Sequence, residues 1–301
     1  MHALAVWFRD NQRALPWRSA AAGPWGVLVS EVMLHQTPVA RVIPVYGQWM
    51  ERWPTPRALA DASVADALRA WGRLGYPRRA RNLHQIATRI VAEHGGVVPR
   101  GLDELLELPG VGDYTARAVR CFAFGIPEPV VDTNVRRVMA RAVFGLAQAG
   151  PPRALEDRRV VAAVLEVLPS AEEKVLGAAG LMELGQTLCR SGEPECDGCP
   201  LAAACEWRKA GYPPYEGPLP RSQSPYEGSD RQVRGIILRE LRSSDTPVPD
   251  SFLSSLWPDR QQYRRCLHSL VLDGLIQRAG DDPEAYELFR DEDTGVVNSS
   301  M

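Results

Sequence analysis

Four cysteines packed into seventeen residues constrain this chain more than any other feature. Cys189, Cys196, Cys199 and Cys205 follow the spacing C-x6-C-x2-C-x5-C, with Pro200 directly after the third. Thiols this close in sequence can converge on one centre, and thiolates are soft ligands suited to zinc or to an iron–sulfur cluster. Zinc sites more often use two separated C-x2-C pairs, whereas this stretch holds one such pair and no nearby histidine. The quartet therefore favours a [4Fe–4S] cluster held by Cys189, Cys196, Cys199 and Cys205, over zinc and over four unrelated core thiols. Lodged between helices without a redox partner motif, such a cluster reads as structural. Arg190, inside its loop, could meet a phosphate. Cys121 and Cys266 lie in apolar surroundings and are expected to be core thiols.

With 45% hydrophobic and 24% charged residues, the 301-residue chain has the composition of a soluble globular protein. It has no apolar run of membrane-spanning length, and its start, MHALAVWFRDNQR, lacks the features of a signal peptide. A cytoplasmic protein with reduced thiols and no membrane contact is expected. A net charge of −2 does not mark a nucleic-acid binder. The basic residues cluster, however. Arg73, Arg78, Arg79, Arg81 and Arg89 form one acid-free stretch, and Arg117, Arg120, Arg136, Arg137 and Arg141 a second. Either could equally be a solvated helix face. Lys174 and Lys209 are the sole lysines, so few amines are available for Schiff-base chemistry.

Helical spacing dominates the first two-thirds. Val64, Leu68 and Trp71 share one face, as do Leu83, Ile86 and Ile90, and then Val135, Val138 and Met139. Alternation of the strand type is scarce, so an all-α body is expected. A linker rich in proline, glycine and serine covers 211–230. Beyond it, RQVRGIILRELRSS, VPDSFLSSLW and DRQQYRRCLHSLVLDGLIQ read as three helices, with YELF as a wing strand. This is the pattern of a winged-helix-like module over 231–290, serving either DNA contact or packing. The tail, 291–301, is expected to be disordered.

Two further motifs carry chemistry. LPGVGDYTA, Leu108 to Ala116, puts Gly110 and Gly112 in a tight turn before a helix. Free amides and the dipole at a helix start favour an anion, so this reads as a helix-hairpin-helix phosphate anchor rather than an ordinary corner between helices. The other motif is a pair of acids. Asp132 ends an apolar run and opens the helix VVDTNVRRVMAR, where it also fits an N-cap. Glu31 lies within WGVLVSEVMLHQT, among Val27, Leu28, Val32 and Leu34. Desolvation there would raise its pKa and keep a proton available, although a lone helical glutamate is more often exposed.

Taken in order, LPWR (Leu15 to Arg18), WGVLVSEVMLHQT, WGRLGYPRRARNLH, LPGVGDYTA, VDTNVRRV, MELG and the cysteine quartet resemble the adenine glycosylase (MutY) branch of the helix-hairpin-helix DNA glycosylases. The likeness runs from Trp7 to about Trp207, and the linker and tail, including DRQVRG, are similar to actinobacterial members. It implies a bilobal all-α fold with an iron–sulfur cluster domain. Residues 1–210 would form the glycosylase core, comprising a six-helix domain over about 20–130 and a cluster domain from 1–19 and 131–210. The substrate implied is double-stranded DNA with adenine opposite 8-oxoguanine or guanine, the adenine being flipped into a pocket. By position, Glu31 matches the catalytic acid and Asp132 the carboxylate that stabilises an oxocarbenium-like sugar. Tyr114 and Asn134 match residues beside that sugar. Arg18, Leu34 and Glu183 match the adenine pocket. Gln36 and Thr37 match residues that wedge into the duplex, with Tyr76 their neighbour. Gly110 and Gly112 would hold DNA phosphate.

Bifunctional relatives such as endonuclease III carry a lysine where Tyr114 stands, so the resemblance implies a monofunctional enzyme; a monomer, cytoplasmic and nucleoid-associated, is the default expectation. The chain departs from the family at three places. His35 and Gln36 stand where the family usually has two glutamines, Thr133 where it usually has a glycine, and no Nudix-like domain is recognisable after Asp230. The rival enzyme is a thymine–guanine mismatch glycosylase, against which SEVML and MELG favour adenine. The rival from another class is a non-catalytic DNA-binding protein, which would require neither acid.

Overall fold

The computed structural model describes residues 1–218 and 225–290, so the expected tail over 291–301 lies outside the described residues. Its helices are α1 (His2–Asn11), α2 (Gly23–Leu34), α3 (Val39–Arg52), α4 (Pro56–Ala60) and α5 (Val64–Trp71). Then come α6 (Arg78–His94), α7 (Leu102–Leu106), α8 (Asp113–Phe124), α9 (Thr133–Ala142) and α10 (Ala154–Glu166). The remainder are α11 (Ala171–Thr187), α12 (Glu206–Lys209), α13 (Asp230–Ser243), α14 (Asp250–Ser255) and α15 (Arg260–Leu272). Three short strands, β1 (Val248–Pro249), β2 (Ile276–Arg278) and β3 (Ala285–Leu288), complete the elements. No helix among the described residues is long and apolar enough to cross a membrane.

Two compact units divide the chain. The first comprises 1–31, 99–107 and 111–221. Its centre is α11, which Ser170 starts by accepting the Glu173 amide on its hydroxyl. Helix α1 lies on α11 through Leu4, Ala5 and Phe8, all buried. Val135, Val138 and Met139 of α9 join Leu181 and Leu184 of α11 and Val161 and Leu165 of α10 in one apolar core. The helical spacing seen in the sequence marks these same α9 residues as inward-facing. Helices α9 and α11 approach very closely at Gly185, where an added Cβ would lie 2.8 Å from the Asn134 Cβ.

Among the described residues, the second unit comprises 32–98, 108–110 and 225–290. Here α5 and α6 pack their expected faces together, with Leu68 and Trp71 against the layer of Leu83, Ile86 and Ile90. Trp71 and Trp53 each meet Trp49 edge to face, with ring centroids 5.7 and 4.7 Å apart. Gly95, left-handed at φ 61°, stops α6.

The C-terminal segment of this unit is winged-helix-like. Helices α13 and α15 enclose Val233, Ile237, Leu241, Leu267 and Leu270, and the strands form an antiparallel sheet of order β1-β3-β2. The sequence reading needs two adjustments. Val248 and Pro249 are strand rather than helix, because Val248 pairs with Tyr286 and the helix starts only at Asp250. The YELF strand is central rather than a free wing, since β1 and β2 pair with its two edges.

The contact at Gly185 fixes where Asn134 stands. Gly185→Ala should cost about 1–3 kcal/mol through overpacking. Urea denaturation at constant pH measures this, and an unchanged midpoint would mean that α9 and α11 can separate freely.

Candidate active site and cysteine centre

The chemistry-bearing residues of the first unit come together from four segments distant in sequence. Helix α2 is apolar almost throughout, so its one acid, Glu31, is carried inside and is only 6% exposed. Burial raises the Glu31 carboxyl from 4.5 to about 7. A hydrogen bond from the Tyr114 hydroxyl opposes that shift, the Asp132 charge reinforces it, and Arg18 opposes it more weakly. Tyr114, near the start of α8, is itself raised well above 10 by burial and by the Glu31 and Asp132 charges. Its hydroxyl therefore stays protonated and can donate.

Asp132 sits in a different environment. It caps α9, its Oδ1 accepting the Val135 amide at 2.7 Å, while its Oδ2 accepts Asn134 Nδ2 at 2.7 Å. Each carboxylate oxygen thus has its own donor, at the N-terminus of a helix. The N-cap and the site carboxylate are thus the same group in two uses. Asn134 Oδ1 in turn accepts from Arg137 Nη2 at 2.8 Å, and Arg137 also donates to the carbonyls of Gly185 and Cys189.

Glu183 of α11 is fully buried. Arg13 Nε donates to its Oε1 at 2.7 Å, and the Arg13 amide to the same oxygen at 3.0 Å. Arg13 Nη2 and Arg18 Nη2 donate to its Oε2 at 2.9 and 2.8 Å. This set outweighs the desolvation that would raise the carboxyl and pulls it down to about 2. Glu183 is thus bound on both oxygens, by Arg13 and by Arg18. Arg13 escaped the sequence reading although it stands just before LPWR, because its partner lies 170 residues away.

In the second unit the expected wedge residues differ in placement. Gln36 is exposed in a left-handed conformation at φ 56°, and Tyr76 is 43% exposed at φ 47°. Leu34, the last residue of α2, is half-buried. Thr37, expected to meet the duplex, is buried instead. Its Oγ1 donates to the Leu74 carbonyl and accepts from Arg79 Nη2, so it ties two turns together. Gly110 turns the hairpin at φ 76°, with Asn82 so close that a Cβ would collide with its amide. Gly112, in the first unit, is the N-cap of α8 and has no side chain of its own to cap it.

Cys189, Cys196, Cys199 and Cys205 line one cavity together with Arg141, Trp207 and Arg208. Arg141 Nη1 donates to Cys189 Sγ at 3.4 Å and to the Arg190 carbonyl at 2.8 Å. Burial, reinforced by the three neighbouring cysteines, pushes the Cys199 thiol up. Four ionised thiols here would repel one another unless a cation lay between them. As placed, and among the described residues, no three ligands close on one ion, so the thiols surround a space rather than a point. The cluster loop thus supplies a soft, thiol-lined cavity with an arginine at its edge.

The second basic stretch is mostly engaged inside this unit rather than solvated. Arg117 and Arg120 flank the buried Glu128, and Arg136 pairs with Asp157 at 2.8 Å.

Residues 29–161 match the HhH-GPD superfamily of base excision DNA repair proteins. An adenine DNA glycosylase of Mycobacterium tuberculosis is 52% identical over 279 residues, covering 92% of this chain and 90% of that one. The chain belongs to the adenine DNA glycosylases of this superfamily. A thymine-DNA glycosylase of Aeropyrum pernix is 34% identical, over 67% of this chain and 91% of its own length. Among solved structures, a non-covalent endonuclease III–DNA complex aligns with a TM-score of 0.58 and 28% identity, covering 69% of this chain and 93% of that one. The glycosylase thus carries the superfamily's helical core together with its winged-helix-like segment.

The burial of Glu31 has a thermodynamic signature. In the unfolded chain the carboxyl ionises near 4.5, and in the folded glycosylase only near 7. Stability from this group is therefore full below pH 4.5 and is lost as pH rises to 7, by about 3 kcal/mol at 1.36 kcal/mol per unit. Glu31→Gln should remove that slope, making the variant more stable than wild type above pH 7. Paired urea titrations from pH 4.5 to 8 read it, and parallel curves for the two proteins would contradict the buried, protonated acid.

Proposed function

We propose that this adenine DNA glycosylase hydrolyses the N-glycosidic bond of adenine mispaired with 8-oxoguanine or guanine in double-stranded DNA, without strand cleavage. The observation that carries the reading is a pair of carboxyl groups in unequal environments. Glu31 is raised to about 7 by burial, while Asp132 accepts two hydrogen bonds at the start of α9. Two carboxyl groups of this kind suit cleavage of an acetal-like bond. One donates a proton to the departing base, and the other stabilises positive charge on the sugar. Glu31 would give its proton to the adenine ring. Asp132 would face the developing oxocarbenium ion, with Asn134 holding it in place and Tyr114 alongside.

Arg18, oriented by Glu183 and Arg13, and Leu34 would line the adenine pocket. Gln36 and Tyr76, both exposed and left-handed, would meet the opened duplex, and Thr37 would set their turns. The amides after Gly110 and Gly112 would take a DNA phosphate. A monofunctional outcome follows from tyrosine at position 114 and from the two lysines, each held in an ion pair: Lys174 with Glu166 and Lys209 with Glu206. We further propose that Cys189, Cys196, Cys199 and Cys205 hold a [4Fe–4S] cluster, whose part is to knit the cysteine loop to α9. A monomer acting in the nucleoid completes the reading.

The test is base release from duplexes carrying adenine opposite 8-oxoguanine, guanine or cytosine, with thymine–guanine as the rival substrate. Excision should be strongest opposite 8-oxoguanine. Asp132→Asn should lower it on the order of a thousandfold while duplex affinity is kept. Borohydride should trap no covalent adduct, and the purified protein should hold about four irons per chain. Activity confined to thymine–guanine, or equal rates for Asp132→Asn and wild type, would refute the assignment.

A further inference from the structure

The turn between α5 and α6 is held in an unusual way. Four successive carbonyls, Gly72 to Gly75, each accept a hydrogen bond from a side chain. Arg242 Nη1 donates to Gly72 at 2.5 Å, Arg41 donates to Arg73, and Thr37 Oγ1 donates to Leu74 at 3.3 Å. Trp71 Nε1 and Arg79 Nη2 donate to Gly75 at 2.9 and 3.1 Å. Tyr76 follows immediately, left-handed and exposed. Gly72 and Gly75 take positive φ freely, but Tyr76 at φ 47° is strained and persists only when its surroundings hold it.

One of these donors comes from the C-terminal module. Arg242 projects from α13, and burial pushes its guanidinium down to about 10. Among the described residues its Nε has no hydrogen-bond partner and no carboxylate pairs with it. A desolvated guanidinium without a counter-charge is costly, which sets this contact apart from ordinary packing. The same module also grips the other side of the turn. Arg81 of α6 donates to the Asp273 carbonyl at 3.2 Å and stacks on Phe289, and Arg78 lies 3.5 Å from the Asp273 carboxylate. The module therefore holds α5 at its end and α6 at its start, with the Tyr76 turn between them.

The geometry points to Arg242 as a positioning residue that, by holding the Gly72 carbonyl at the start of this turn, helps set Tyr76 and makes the C-terminal module part of opposite-base discrimination. This rests on the reading of Tyr76 as a side chain that meets the opened duplex. Arg242 need not touch DNA for this, and the module need not bind DNA on its own.

A mutant cycle in the full chain tests it, reading the ratio of single-turnover excision opposite 8-oxoguanine to that opposite guanine. Tyr76→Ala and Arg242→Ala should each lower the ratio about tenfold, and Arg242→Lys should restore most of it. The double variant should be no worse than Tyr76→Ala alone. Additive losses, or a full effect of Tyr76→Ala with none from Arg242→Ala, would overturn the proposal. If Tyr76→Ala changes nothing, the reading of Tyr76 fails instead. Hydrogen exchange then isolates the clamp: Arg242→Ala should speed exchange of the amides of 73–76 about tenfold while α6 and α15 keep their protection. Unchanged exchange at the turn, or a uniform rise across the second unit, would overturn the clamp itself.

Discussion

Carrying a carboxyl into the interior of α2 costs free energy that the helix could avoid with any apolar residue in place of Glu31. The chain keeps the group and lets it remain neutral. Much of the first unit is arranged around that choice. The Tyr114 hydroxyl gives the carboxyl a partner, and Asp132 stands near enough for its charge to raise the Glu31 pKa further. Like charges in one site push protonation states apart, so one acid can hold a proton where the other keeps its charge. On the proposed mechanism this division is the catalytic device, and the fold's task is to maintain two unequal environments side by side.

The hydrogen-bond chain behind Asp132 links that device to the rest of the unit. Asp132 bonds Asn134, Asn134 bonds Arg137, and Arg137 reaches the carbonyls of Gly185 and Cys189. Through Arg141, which meets both Cys189 Sγ and the Arg190 carbonyl, the same helix α9 is tied to the cysteine loop twice. A cluster in that loop would therefore brace the helix whose N-terminus holds the carboxylate. That role would be mechanical and would need no electron transfer. In the second unit arginines do comparable work on carbonyls instead of carboxylates. Arg79 donates to the carbonyls of Val32, Met33, His35 and Gly75, drawing the end of α2 and the Tyr76 turn together.

Motif-bearing residues were legible from the sequence because their chemistry is local. The cysteine spacing, LPGVG, and the helical faces of α5, α6 and α9 depend on neighbours within a few turns. The burial of Glu31 was legible too, since α2 offers no polar face on which to place it. What escaped depends on contacts far apart in the chain. Arg13 finds Glu183 across 170 residues, and Arg242 finds Gly72 across the same interval. The burial of Thr37 rests on such a contact too: after the left-handed turn at Gln36, its hydroxyl bonds Leu74 and Arg79, about forty residues on. The winged-helix-like segment was recognisable by element order, whereas its role as a strap on the α5–α6 turn lay in packing that no periodicity encodes.

The central claim is that Glu31 keeps its proton far above the ordinary carboxylate range and gives it up only near neutral pH. A direct measurement is carbon NMR of the glutamate carboxyls across pH 4 to 9, with Glu31 assigned by its absence in Glu31→Gln. The account predicts one resonance titrating near 7, well apart from the exposed glutamates. A Glu31 midpoint near 4.5 would mean a charged group at neutral pH, and with it the division of labour between Glu31 and Asp132 would fall.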